Sequence, residues 1–277
     1  MSMPSAKKPP ARLERAINLA TLGWSARRDR GNWSRLAARF DWVYLGAEFC
    51  ENSWPEDARL LAAARFFCDA GVRVCFLSPL LTEKGLQRLA RFLDAFQAMR
   101  TRHGYPDDLF ELTANDFGAV ELVRSRGLRL KLNLGRLLKD NVFSSRHAAL
   151  HYQDRPILDF YASCGITRFE VSIQSARSGP VPSWARISVY HPYANVTSTR
   201  MCFVGMRDIP ESEDLADLVC GRECAAAAFE MKHPRIAQKL FVRGNTVFTK
   251  GPAPFDRRSR PLLAMGADRL VYCPFPS

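Results

Sequence analysis

Long apolar runs are missing from these 277 residues: no stretch approaches the ~18–20 uninterrupted apolar residues that cross a bilayer, so no transmembrane segment is expected. Protease motifs are missing too. Neither HExxH nor GxSxG occurs, and no aspartic dyad can be picked from isolated acids, so a peptidase reading has no motif beneath it. Histidine is scarce, at five residues, and only His147 and His151 stand at i, i+4, a pair that reads more simply as a solvated helix face than as metal ligands. No RRM, KH or zinc-finger pattern is found. Acid is the minority charge, 28 Asp and Glu against 40 Lys and Arg, for a net +12. That balance favours an anionic partner, whether nucleic acid, an acidic membrane surface or a small anionic substrate. The basic residues nevertheless come in short groups, as on solvated faces: Arg27, Arg28 and Arg30; Arg124, Arg126, Arg129 and Lys131; Arg257, Arg258 and Arg260. Residues 1–15 are basic and lack an apolar signal core. They are expected to form a disordered tail on a cytoplasmic protein.

The remaining composition, 47% apolar and 25% charged, is that of an ordinary folded domain. Short β-branched and aromatic runs alternate with segments of helical period. Ile17–Leu22, Trp42–Leu45, Val72–Leu77, Leu109–Leu112, Arg129–Leu134 and Arg168–Ile173 read as strands. Between them lie helical segments, most clearly residues 82–99, where Leu86, Leu89, Leu93, Phe96 and Met99 recur every three or four positions. This is the rhythm of a parallel sheet. After residue 173 the rhythm breaks into turn material around a short strand expected at Arg186–Tyr190. Later, Leu240–Arg243 and Thr246–Thr249 flank Gly244-Asn245 as a hairpin. The expectation is an α/β fold: a complete or incomplete (β/α) barrel over residues 16–277, with a β-rich, cysteine-bearing C-terminal appendage from about residue 174.

Eight cysteines without a signal segment point to thiol or metal chemistry, or to plain packing, rather than disulfides. Cys68, Cys75 and Cys164 fall inside apolar elements and read as small buried hydrophobes, while Cys273 is undecided. Cys50 follows a strand, where barrels carry working residues. Cys202, Cys220 and Cys224 lie in irregular sequence, and the C-x3-C spacing of the last two lets both thiolates reach one centre or share an apolar face. Four thiolates suit either zinc or an iron–sulfur cluster.

The segment Asp41-Trp-Val-Tyr-Leu-Gly-Ala-Glu-Phe-Cys50 resembles the strand and cysteine loop of the collagenase-like peptidase family U-thirty-two, in its UbiV-type branch. Further similarities follow in order: Asn115-Asp116-Phe-Gly118-Ala-Val120, Leu132-Asn133, Phe169-Glu170-Val171, and Arg200-Met-Cys202-Phe203 with Cys220-x3-Cys224 and the hairpin. The resemblance spans residues 17–251. It implies a 4Fe-4S cluster on Cys50, Cys202, Cys220 and Cys224, and oxygen-independent hydroxylation of a ubiquinone precursor with a UbiU-like partner, prephenate serving as oxygen donor. Two stretches depart from the branch: Ser188–Asn195 looks inserted, and residues 203–219 form a long loop carrying Asp208, Glu211, Glu213, Asp214 and Asp217. The alternatives are hydroxylation of tRNA or ribosomal RNA, as in other branches, a non-catalytic cluster-bearing subunit of a heteromer, or a peptidase. Glu48 and Glu170, at strand ends, are the catalytic candidates. Asn133, Arg136 and Lys139 are the candidates for holding a small anionic or aromatic substrate.

Overall fold

The computed structural model describes residues 13–20, 26–138, 143–144, 149–150, 155–172, 177–178, 182–200, 202–205, 219–225, 228–251, 262–263 and 266–276. The expected N-terminal tail up to residue 12, the His147/His151 pair, Lys139 and most of the acidic loop after Cys202 lie outside them.

In chain order the elements are β1 (Glu14–Asn18), α1 (Ala26–Ala37), β2 (Trp42–Gly46), α2 (Asp57–Asp69), β3 (Arg73–Ser78), α3 (Glu83–His103), β4 (Phe110–Ala114), α4 (Phe117–Ser125), β5 (Lys131–Leu134), β6 (Phe143–Ser144), β7 (Ala149–Leu150), α5 (Arg155–Ser163), β8 (Ile166–Ser172), β9 (Arg177–Ser178), β10 (Arg186–His191), β11 (Tyr193–Ser198), β12 (Phe229–His233), β13 (Ile236–Arg243), β14 (Thr246–Lys250) and β15 (Ala267–Tyr272). Helix α3 shows how local sequence sets an element. The Thr82 hydroxyl accepts the Gly85 N–H at its start, Leu89, Phe92, Leu93 and Phe96 form the buried stripe, and Gly104 ends it in the left-handed region at φ 66°.

Eight parallel strands close a barrel in the order β1-β2-β3-β4-β5-β8-β10-β15. Outward residues such as Val43, Val74, Phe76, Phe110 and Leu112 pack with Phe67 of α2 and Phe92 and Phe96 of α3 in one apolar layer. Each such buried side chain stabilises the fold by roughly 1.5–3 kcal/mol. Strand pairing puts the alternate set, Tyr44, Cys75, Glu111, Asn133, Glu170, Ser188 and Arg269, on the inner wall, so the barrel interior holds buried polar and charged groups beside an apolar cluster that includes Trp42, Leu77 and Val271.

The barrel is therefore complete, and residues beyond 174 help to build it. Arg186–His191 is a full barrel strand between β8 and β15, and Ala267–Tyr272 pairs with β1 to close the ring. The stretch 188–195 supplies the second half of β10 and the start of β11, joined across a cis His191–Pro192 bond. The appendage is the antiparallel sheet β11-β14-β13-β12, whose β13–β14 turn is the expected Gly244-Asn245, with Gly244 at φ 58°. A third small sheet joins β6, β7 and β9.

Candidate metal centre at the barrel mouth

Residues that follow barrel strands meet at the C-terminal ends of those strands. Glu48, after β2, and Arg136, after β5, pair through two contacts of 2.6 Å, Nε to Oε1 and Nη2 to Oε2, and both are fully buried. Burial alone would discharge Arg136, but the Glu48 carboxylate outweighs it and holds the guanidinium firmly charged. The Arg136 guanidinium lies 4.0 Å from the Tyr190 ring centre and 5.0 Å from that of Phe49, and Nη1 donates to the Tyr193 carbonyl at 3.2 Å. Asn115 sets this geometry. Its amide donates to the carbonyls of Ser78 and Glu48, and its oxygen accepts the Leu137 N–H at 2.9 Å. Position 135 is glycine for the same reason, since a Cβ there would stand 2.2 Å from Asn115 Oδ1.

The antiparallel sheet covers this layer. Gly251 N–H donates to the Pro192 carbonyl at 2.7 Å, and Phe248 packs edge-on against Phe49 at 5.3 Å. The Gly244-Asn245 turn is the hub. Asn245 donates to the Phe49 carbonyl at 2.9 Å, next to Cys50, and to the Thr199 carbonyl at 2.6 Å, on the approach to Cys202. Phe203 N–H donates to the Gly244 carbonyl at 3.1 Å. A Cβ on Gly244 would lie 3.4 Å from Cys224 Sγ.

The four cysteines are thereby brought into one electrostatic neighbourhood. Burial pushes the Cys50 thiol up, backbone N–H groups of Asn52 and Ser53 oppose this, and the sulfurs of Cys220 and Cys202 add to the rise. Cys224 is likewise raised, first by burial and then by Cys202, Cys50 and Cys220, against the pull of Arg243. Cys202 Sγ accepts the Gly205 N–H at 3.2 Å, and Arg243 Nε donates to the Cys224 carbonyl at 3.2 Å. Arg222, inside the C-x3-C segment, takes the left-handed conformation at φ 59°, which a non-glycine residue adopts at a cost. Among the described residues, no three His, Cys, Asp or Glu side chains form a group that could hold a single metal ion. A cubane asks for a wider set, because each thiolate binds its own iron at a separate corner.

No family model and no curated protein matches this chain. Its fold is similar to a solved structure of the U32 peptidase Mk0906, with a TM-score of 0.42 and 12% identity over 99% of this chain and 98% of that one.

The other sequence candidates go elsewhere. Glu170 and Asn133 lie inside the barrel, not at its surface. Arg136 is neutralised by Glu48, which argues against its serving as a free anion-binding cation. Cys68, Cys75 and Cys164 are buried as expected, the first and third in the outer apolar layer, and Cys273 joins Cys75 in the cluster on the inner wall. Sequence reasoning missed Tyr44, Glu111, Arg168 and Arg269. The Arg269 guanidinium grips Glu111 through contacts of 2.7 and 3.1 Å and donates to the Tyr44 hydroxyl at 2.8 Å. Arg168 pairs with Asp268 and donates to Ser188. Burial raises the Glu111 carboxyl, but Arg269 and Arg168 overcome this and lower it to about 2. The legible signal was Arg168-x-Glu170-x-Ser172, polar residues at period two within an apolar strand. No helix among the described residues is long and apolar enough to cross a membrane.

Proposed function

We propose that this chain is an iron–sulfur protein of the U-thirty-two type, with Cys50, Cys202, Cys220 and Cys224 holding a 4Fe-4S cluster above the C-terminal ends of the barrel strands. The observation that carries this reading is the mutual interaction of four thiols drawn from positions 50, 202, 220 and 224 around one turn, Gly244-Asn245. When bound, such a cluster supplies one-electron transfer. The chain's own residues then have defined tasks. The Gly205 N–H steadies the Cys202 sulfur, Arg243 sets positive charge beside Cys224, and Asn245 keeps the Cys50 and Cys202 segments in register. The Glu48–Arg136 pair, stacked on Tyr190, braces the loop that leads to Cys50.

For the reaction, the reading follows the resemblance: oxygen-independent hydroxylation of an aromatic quinone precursor, carried out with a UbiU-like partner. Zinc is the competing occupant of a thiolate site, and RNA the competing substrate on the strength of the +12 charge. The test begins with anaerobic purification, with iron and sulfide counted per chain and an EPR spectrum recorded. Four irons and four sulfides are expected, whereas stoichiometric zinc without sulfide sinks the cluster assignment. A deletion strain grown without oxygen then separates the substrates: accumulation of an unhydroxylated quinone precursor supports this reading, and normal quinone with a missing hydroxylated nucleoside replaces it by the RNA one.

A further inference from the structure

Glu170 occupies the middle of the barrel, remote from any use in the cluster reading. Its Oε1 accepts from the Tyr44 hydroxyl at 3.1 Å and from Thr113 Oγ1 and Asn133 Nδ2 at 3.4 Å each, all neutral donors. The arginines of the interior are committed to other carboxylates: Arg269 grips Glu111 in two places, and Arg168 pairs with Asp268. Its other oxygen, Oε2, is buried with no hydrogen-bond partner, and so are Asn133 Oδ1, Ser172 Oγ and the Tyr190 hydroxyl. The residues that carry them are neighbours on the inner wall, and Glu170 acts electrostatically on Tyr190. Asn133 already touches Glu170, Ser172 stands two residues along on the same wall, and Tyr190 is the register partner of Ser172 on β10.

Four orphaned polar atoms in one enclosed region cost roughly 1–3 kcal/mol each if left dry, far more together than a single domain readily tolerates. A water with two to four polar partners removes that cost. We propose that the barrel interior is a hydrated acid site: Glu170 is held as a neutral carboxylic acid that donates from Oε2 to one or more ordered waters, and these also bond Asn133, Ser172 and Tyr190. The site is built for it. An acid without an adjacent free cation keeps its proton, and the hydroxyls of Ser172 and Tyr190 can both give and accept.

The electrostatics agree. Facing Glu170 are Tyr44 from β2, Cys75 from β3, Glu111 from β4, Arg168 on its own strand, Tyr190 from β10, Arg269 from β15 and, above, Glu48. Burial raises the carboxyl, Arg269 and Arg168 oppose, Glu111 and Glu48 add to the rise, and the balance stands at about 7. This inference does not depend on the cluster, because none of its residues belongs to the cysteine set.

A crystal structure of the full chain at atomic resolution tests the hydration directly: electron density for a water within hydrogen-bond reach of at least two of the four atoms is expected. Four atoms paired among themselves, with no such water, overturn the proposal. Infrared spectroscopy of protein carrying carbon-13 glutamate tests the acid. A buried carboxylic C=O band that fades as pH rises through about 7, and that is absent from Glu170→Gln, is expected. A carboxylate signal for Glu170 already complete at about pH 5 overturns it. Should Glu170→Gln not fold, Ser172→Ala supplies the second variant: it shifts the frequency of the same band by removing one partner of the shared water, and an unmoved band counts against the proposal.

Discussion

Arg136 and Glu48, 88 residues apart in the chain, close on each other at 2.6 Å through both guanidinium–carboxylate contacts, with neither side chain exposed. This pair joins the loop after β2 to the loop after β5, and the Cys50 segment hangs from the first of these. Its energetics follow from burial. Two charges taken from water are compensated only while both are present.

Removing one partner, as in Arg136→Met or Glu48→Leu, is expected to destabilise the chain by about 3–5 kcal/mol, whereas the double variant Glu48→Leu/Arg136→Met recovers most of that loss. Urea unfolding midpoints at constant slope measure it. A double variant as weak as the sum of the singles would show that the pair is not a closed unit.

Glu111 and Glu170 face the same interior but have opposite linkage. Glu111 is lowered in the folded state to about 2, so it contributes stability above its ordinary value of 4.5 that is lost as pH falls through about 2. Glu170 is raised to about 7, so between 4.5 and 7 the folded chain holds a proton that the unfolded chain has released, and stability declines as pH rises through that window. Glu170→Gln is therefore expected to gain on the wild type between about pH 5 and 7.5, by at most about 3 kcal/mol, while Glu111→Gln loses stability at neutral pH. Denaturation curves at pH 5 and about 7.5 decide the sign, and a parallel pH dependence for the wild type and Glu170→Gln is the adverse result.

Serine in place of Cys50, Cys202, Cys220 or Cys224 is expected to cut bound iron and acid-labile sulfide at least several-fold in anaerobic preparations, while Cys68→Ala and Cys164→Ala keep the wild-type content. Those two thiols are buried in the apolar layer, so their loss appears in thermal stability instead, at about 1 kcal/mol each. Full metal content in Cys50→Ser would remove Cys50 from the ligand set.

Asn245 spans the Phe49 and Thr199 carbonyls, and Asn245→Ala leaves both without that donor. The expected cost is about 1–3 kcal/mol of stability together with faster iron loss to a chelator, at unchanged far-ultraviolet circular dichroism. Iron release at the wild-type rate would reduce Asn245 to a structural brace with no bearing on the centre.

Much of the architecture was legible because its determinants are local. The stripe Leu89, Leu93, Phe96 has helical period, Val43 and Leu45 alternate at strand period, and Gly244-Asn245 between two β-rich runs specifies a turn. Those patterns concern neighbours within one or two turns of chain, and they pointed to a β/α barrel and to a hairpin beside the cysteines. The eighth strand, Ala267–Tyr272, was not legible, because an isolated six-residue run shows no partner until β1 and β10 leave a gap of its width. Nor was the polar interior. Alternation says that Arg168, Glu170 and Ser172 share a face, but only ring closure decides that the face is inside, where Arg269 must meet Glu111 from 158 residues away. The types and spacing of the four cysteines belong to the sequence alone. Their meeting around Asn245 was decided by the tertiary structure, since contacts between positions 49 and 245 exist only once the barrel and its covering sheet have formed.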